Sequence, residues 1–150
     1  MAIDVHAVAA SRLAATAQRY TTSRRAVVEA LQGAGRPLTI PEILAVDPAL
    51  PQSSAYRTIA VLTQAGVVRR VVAVDEFARF ELAEDLSSHH HHLLCTSCGL
   101  VADFELPSAL EHQLEAAFEA AATDQRFESI HHRVDLVGLC TNCSGAPPAP

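Results

Sequence analysis

LPQSSAYRTIAVLTQAGVVRRVVAV, Leu50–Val74, is the stretch that decides the fold of the front half. Ala55, Ile59 and Leu62 recur at helical spacing and make one inward face. Ser53, Ser54, Tyr56 and Arg57 cluster on the first turns of the same helix. VVRRVVAV then meets FARFEL across Asp75–Glu76, two β-rich runs that predict a hairpin. Upstream, IDVHAVAASRLAATAQ predicts an Ala-rich first helix. TTSRRAVVEALQGAG predicts a second, capped by Thr22 or Ser23 and ended by Gly33 and Gly35. LTIPEILAVD predicts a short third helix, with Thr39 as its cap, Pro41 in its first turn and Pro48 closing it. Three helices, a recognition-type helix and a two-stranded wing make a winged helix-turn-helix.

Beyond the wing, AEDLSS is polar and patternless, which puts a hinge at about Ala83–Ser88. HHHHLLC predicts a strand, TSCG a tight turn and LVADFEL a second strand. A helix follows from about Pro107 to Ala122, with Leu110, Leu114 and Phe118 on one face, and a last strand from about Phe127 to Leu139. The fold class expected is α+β: a winged-helix domain over 1–84, a small α/β metal-binding domain over 85–144, and a disordered tail over 145–150.

Composition fits that division. The chain has 150 residues, 49% of them hydrophobic, enough for one large or two small cores. No apolar run approaches the roughly 20 residues that cross a bilayer. MAIDVHAVAASRLAATAQ carries an acid near its start and Arg12 within it, unlike a signal peptide, so a cytoplasmic protein is expected. The net charge of −6 hides an asymmetry: residues 1–70 hold eight Arg against four acids, residues 71–150 three Arg against thirteen. A basic front and an acidic back suggest different partners for each.

The back half carries the metal chemistry. Cys95, Cys98, Cys140 and Cys143 form two C-x2-C pairs, and in a reducing compartment such pairs complete a four-thiolate shell for structural zinc. A thioredoxin-type motif would open a helix, whereas Gly99 leads into a strand. His89–His92 lie inside the chain, not at a terminus as a tag would. Successive strand side chains face opposite ways, so His89 and His91 serve one side and His90 and His92 the other. One run thus supplies two ligands to each of two further ions. Glu81, Asp103, Glu111, Glu115, His131 and His132 are candidates to complete them; spacing alone does not assign them.

SSAYRTIAVLTQAGVVRR, FEL running to HHHHLLCTSCG, and HHRVDLVGLCTNC together resemble the ferric uptake regulator family of bacterial metal-sensing repressors, over about residues 10–144. The resemblance implies a homodimer, joined through the C-terminal domain, that grips AT-rich palindromic operators in double-stranded DNA. It implies a regulatory metal site of Glu81, His90, His92 and Asp103. A second site would use His89, His91, His132 and Glu111, with Glu115 as the alternative acid. Many members add a His just before the third helix; here Pro37 or Arg36 stands there. Zinc-uptake members usually have Cys where Glu81 stands. An all-N/O shell suits Fe(II) or Mn(II), although zinc binds such shells too.

The fourth helix is expected in the major groove, with Tyr56 and Arg57 leading, Ser53 and Ser54 on phosphates, and Arg19 in support. Arg24 and Arg25 on the second helix, and Arg69 and Arg70 on the wing, are further basic candidates. Three rival functions stand beside this reading. A zinc hydrolase or deaminase would need HExxH, or HxE with PCxxC; neither occurs, so no enzyme is expected. A metal-storage or chaperone protein has no use for SSAYRT ahead of a wing. Within the family, the rival is a peroxide-sensing repressor.

Overall fold

The computed structural model describes residues 3–129 and 131–145, and divides the chain into two compact units at His89/His90. The boundary expected at 84/85 falls inside the first unit. The reason is local: Glu84–Leu86 form a 3-10 turn, and Leu86 is buried in the first unit's core. Of the expected tail, 146–150 lie outside the described residues.

In the first unit, α1 (Val5–Ala15) begins at Asp4, whose carboxylate accepts the Ala7 N–H at 3.1 Å. The cap of α2 (Thr22–Ala34) is Thr21, one residue before the expected candidates. Gly33 lies within this helix; Gly35 alone ends it, at φ 62°, a left-handed conformation that costs glycine little. β1 (Leu38–Thr39) leads into α3 (Ile40–Val46), with Pro41 in its first turn. α4 (Gln52–Gln64) carries Ala55, Thr58, Ile59 and Leu62 inward. β2 (Val68–Val71) and β3 (Arg79–Leu82) pair antiparallel as the wing. β1 adds to the other edge of β3, giving the order β1-β3-β2. Two residues were too few to show as a strand in the sequence. The core gathers Leu13, Val27, Val28, Ile43, Leu62 and Val67, all essentially inaccessible.

Thr39 and Glu42 form a capping box at the start of α3, each side chain bonded to the other's backbone N–H. Burial works to raise the Glu42 carboxyl, but bonds from Arg36 and Thr39 prevail and hold it below 4.5. The stabilisation from that depressed value is therefore present above about pH 4.5 and lost as pH falls through the folded value. Thr39→Ala is expected to cost about 1 kcal/mol in a urea melt at pH 7. A midpoint matching the parent would remove the box from the forces that set α3.

In the second unit, β4 (His91–Cys95) is central, with the order β5-β4-β6. β5 (Val101–Phe104) pairs antiparallel to it across the knuckle turn, where Gly99 sits at φ 73°. β6 (Asp135–Gly138) pairs parallel, which requires a long crossover; α5 (Ser108–Asp124) supplies it. The last strand is shorter than the expected 127–139, and a short helix, α6 (Thr141–Ser144), follows Cys140. This unit buries little of its apolar surface. α5 has no buried residue, and Leu93, Leu110, Phe118, Leu136, Val137 and Leu139 are all exposed. Among the described residues no helix is long and apolar enough to cross a membrane.

Candidate metal centres and DNA-facing helix

The β4–β5 turn carries Cys95 and Cys98, and the end of β6 brings up Cys140 and Cys143; the four sulfurs lie within 4.8 Å of one another. Cys98 Sγ and Cys140 Sγ are 3.7 Å apart. Zinc–sulfur bonds of roughly 2.3 Å place two sulfurs of a tetrahedron about 3.8 Å apart, so the spacing fits. The donor chemistry fits as well. Backbone N–H groups of Cys98 and Cys140 lower the Cys95 thiol to about 6. The Leu100 N–H favours a thiolate at Cys98, yet its shared bond with Cys95, some desolvation and its bonds with the other thiols push it up to about 11. One thiolate forms readily and its neighbour resists; a dication at the centre would relieve that repulsion. All four cysteines are free of disulfides.

Two histidine groups flank β4. His91 Nε2 meets Glu111 Oε2 at 2.9 Å, and His132 Nε2 meets Glu111 Oε1 at 2.9 Å. Glu111 therefore sits between two imidazoles, whereas Glu115 is exposed. Phe104 packs on His91 and Phe118 on His132, with ring centroids 5.4 and 5.2 Å apart. The other group contains His90, His92 and Asp103. His90 Nε2 and His92 Nε2 stand 3.8 and 3.7 Å from the Asp103 oxygens, longer than hydrogen bonds. Ligands bound at about 2.1 Å to one tetrahedral ion lie about 3.4 Å apart, so a shift of a few tenths of an ångström would close this group on a metal. The register makes this group: His92 is the cross-strand partner of Asp103.

Glu81 and His89 belong to the first unit. Glu81 is buried on β3, where its carboxylate accepts a bond from Arg69 Nε at 2.6 Å. His89 Nδ1 bonds the Glu84 carboxylate. His131 is exposed. The sequence reading missed Asp135, which β6 places beside His92 on the side away from Asp103. The hint available was its position three residues after His132, in a run that alternates apolar and polar.

On α4, Ser53, Tyr56 and Arg57 are exposed and Ser54 half-buried, on the side opposite the inward face. Arg19 is exposed in the α1–α2 loop. Arg24 is committed to bracing that loop: its guanidinium donates to the Arg19 carbonyl, and to Gln18 Oε1 at 2.9 Å. Arg25 lies over the Tyr20 ring, 5.4 Å from its centroid, and pairs with Glu29 at 3.6 Å. On the wing, Arg69 is held by Glu81 and Glu84, while Arg70 is exposed.

A helical unit closed by a wing, followed by a unit with clustered thiolates and histidine–carboxylate groups, defines a metal-responsive transcriptional regulator. The chain belongs to the ferric uptake regulator family, whose sequence profile matches residues 15–137. It is 33% identical over 99 residues to the ferric uptake regulation protein of Bacillus subtilis; that match covers 65% of this chain and 63% of that protein, under two thirds of its length. It is 32% identical over 130 residues to the peroxide-responsive repressor of Staphylococcus saprophyticus, covering 83% and 82% respectively. Among solved structures, a zinc-bound manganese uptake regulator superposes with a TM-score of 0.65 at 26% identity, over 92% of this chain and 99% of its own length.

Proposed function

We propose that this protein is a homodimeric repressor that binds AT-rich palindromic operators when its regulatory site is loaded with a divalent metal. The observation that carries the reading is the sorting of the histidine run. His91 goes to Glu111 and His132; His90 and His92 go to Asp103. The first group, with His89, is the proposed second metal site. The other, with Glu81 carried over from the family, is the proposed regulatory site. Its N/O donors favour Fe(II) or Mn(II) over softer ions, with zinc as competitor. The four cysteines hold the structural zinc.

The dimer reading rests on the second unit's uncovered apolar surface. A groove of about 410 Å³ is lined by Leu93, Leu100, Leu136, Val137 and Leu139. A sheet with so much apolar area outside its own core needs a second copy to cover it. The DNA reading rests on α4. Tyr56 can pack on a thymine methyl, Arg57 can reach guanine or phosphate, and Ser53, Ser54 and Arg19 can hold the backbone. The cytoplasm is the compartment that such a regulator needs.

Fluorescence anisotropy with AT-rich palindromes, adding Fe(II), Mn(II) or Zn(II) to protein whose regulatory metal has been stripped, tests this directly. Tightening by one metal is expected; equal affinity with and without every metal overturns the reading. Arg57→Ala should cost about 2 kcal/mol if the side chain reads a base. If it touches phosphate, the salt slope should instead fall by about one unit with specificity kept. No change in either would remove α4 from the groove.

A peroxide-sensing role is the second reading, favoured by the long matches to peroxide regulators at 29–32% identity. Mass spectrometry after peroxide treatment of the iron-loaded protein, looking for oxygen added to His90 or His92, separates the two.

A further inference from the structure

We propose that Asp135 is a positioning residue for His92: it takes the imidazole's Nδ1 proton bond and so aims Nε2 at the regulatory ion. The inference rests on the regulatory-site reading above and adds a residue to it. His92 sits on the central strand with an aspartate at the same level on each side. Asp103 is its partner on antiparallel β5, and Asp135 its partner on parallel β6. The two ring nitrogens are divided between them. Nε2 faces Asp103 Oδ1 at 3.7 Å, and Nδ1 faces Asp135 Oδ1 at 3.5 Å.

Asp135 differs from Asp103 in what holds it. Arg133 Nη2 grips Asp135 Oδ2 at 2.6 Å, which fixes the carboxylate and balances its charge. The other oxygen, Oδ1, is buried and accepts no hydrogen bond from the described residues. A buried carboxylate oxygen left in that state calls for a donor, and the nearby donor is the His92 ring. A small rotation of the imidazole closes the 3.5 Å gap. Nδ1–H then points at Asp135, and the lone pair on Nε2 is left for metal. Imidazole ligands are commonly held by an outer carboxylate in this way, which fixes the tautomer and strengthens the donor. β6 is itself tethered at its far end, since Cys140 follows it by two residues.

The test uses the full-length, zinc-loaded protein. Co(II) affinity at the regulatory site and the Co(II) visible spectrum are measured for the parent, Asp135→Ala, Asp135→Asn and His90→Ala. Asp135→Ala should weaken Co(II) binding about 10- to 100-fold and shift the spectrum, with structural zinc content and the unfolding midpoint of the cobalt-free protein unchanged. Asp135→Asn keeps an acceptor oxygen and should recover part of the loss. Unchanged cobalt affinity in Asp135→Ala, while His90→Ala is weakened, overturns the role of Asp135 alone. Unchanged affinity in His90→Ala overturns the site reading beneath it. Loss of structural zinc in both Asp135 variants would mean that the residue supports the strand and not the ligand, which also overturns the proposal.

Discussion

Cys98→Ser is expected to leave the protein without its tightly held zinc and to unfold the second unit while the first stays folded. The asymmetry follows from where each unit gets its stability. The first buries a continuous apolar core from α1 to Leu86. The second buries little beyond Leu94, Cys95 and Val101 among its described apolar side chains. Its three strands converge on the cysteines: β4 ends at Cys95, the β4–β5 turn holds Cys98, and β6 runs into Cys140. Structural zinc binding of this kind contributes on the order of 10 kcal/mol, and in so small a unit that is folding energy. Elemental analysis should find the tightly held zinc gone. Size exclusion should show loss of the dimer, and circular dichroism should keep most of the helix signal from α1–α4. Full zinc retention in Cys98→Ser, with the dimer intact, would sink the four-cysteine assignment.

Where local chemistry decides structure, the sequence was readable. The α4 face, the Thr39 cap and the paired C-x2-C turns each follow from a few adjacent residues with one low-energy arrangement. β1 was not readable, because two residues gain strand geometry only from their pairing with β3. The unit boundary at His89/His90 is not readable for a related reason. AEDLSS looks like a linker by composition, yet Leu86 is drawn into the core and Arg69 holds Glu84. The histidine run shows both limits. Strand alternation separates His91 from His90 and His92, but strand register decides which acids meet them. No periodicity in the sequence states that Asp103 and Asp135 bracket His92, since one arrives by a hairpin and the other by a helical crossover. Long-range pairing, not side-chain type, was the missing information.

His90→Ala should give a folded, zinc-containing dimer whose affinity for the operator no longer responds to added metal. The proposed ligand set takes Glu81 from one unit and His90, His92 and Asp103 from the other, so its assembly would restrict the DNA-binding units to arrangements that match two half-sites. Without it, only a fraction of dimers would be competent, and apparent affinity would fall by that fraction. A 100-fold response needs about 2.7 kcal/mol of coupling, within the usual range for linked sites. At the proposed site Arg69 would compete with the metal, because its guanidinium already holds the Glu81 carboxylate. Removal of one imidazole from a four-ligand shell should erase the response, whereas the salt dependence of the residual binding should match that of the metal-free parent. Glu111→Ala acts on the opposite face of β4, between His91 and His132, and is expected to weaken the response less. Anisotropy titrations of both variants against metal decide the matter. A response lost in Glu111→Ala and preserved in His90→Ala would assign the switch to the His91 face.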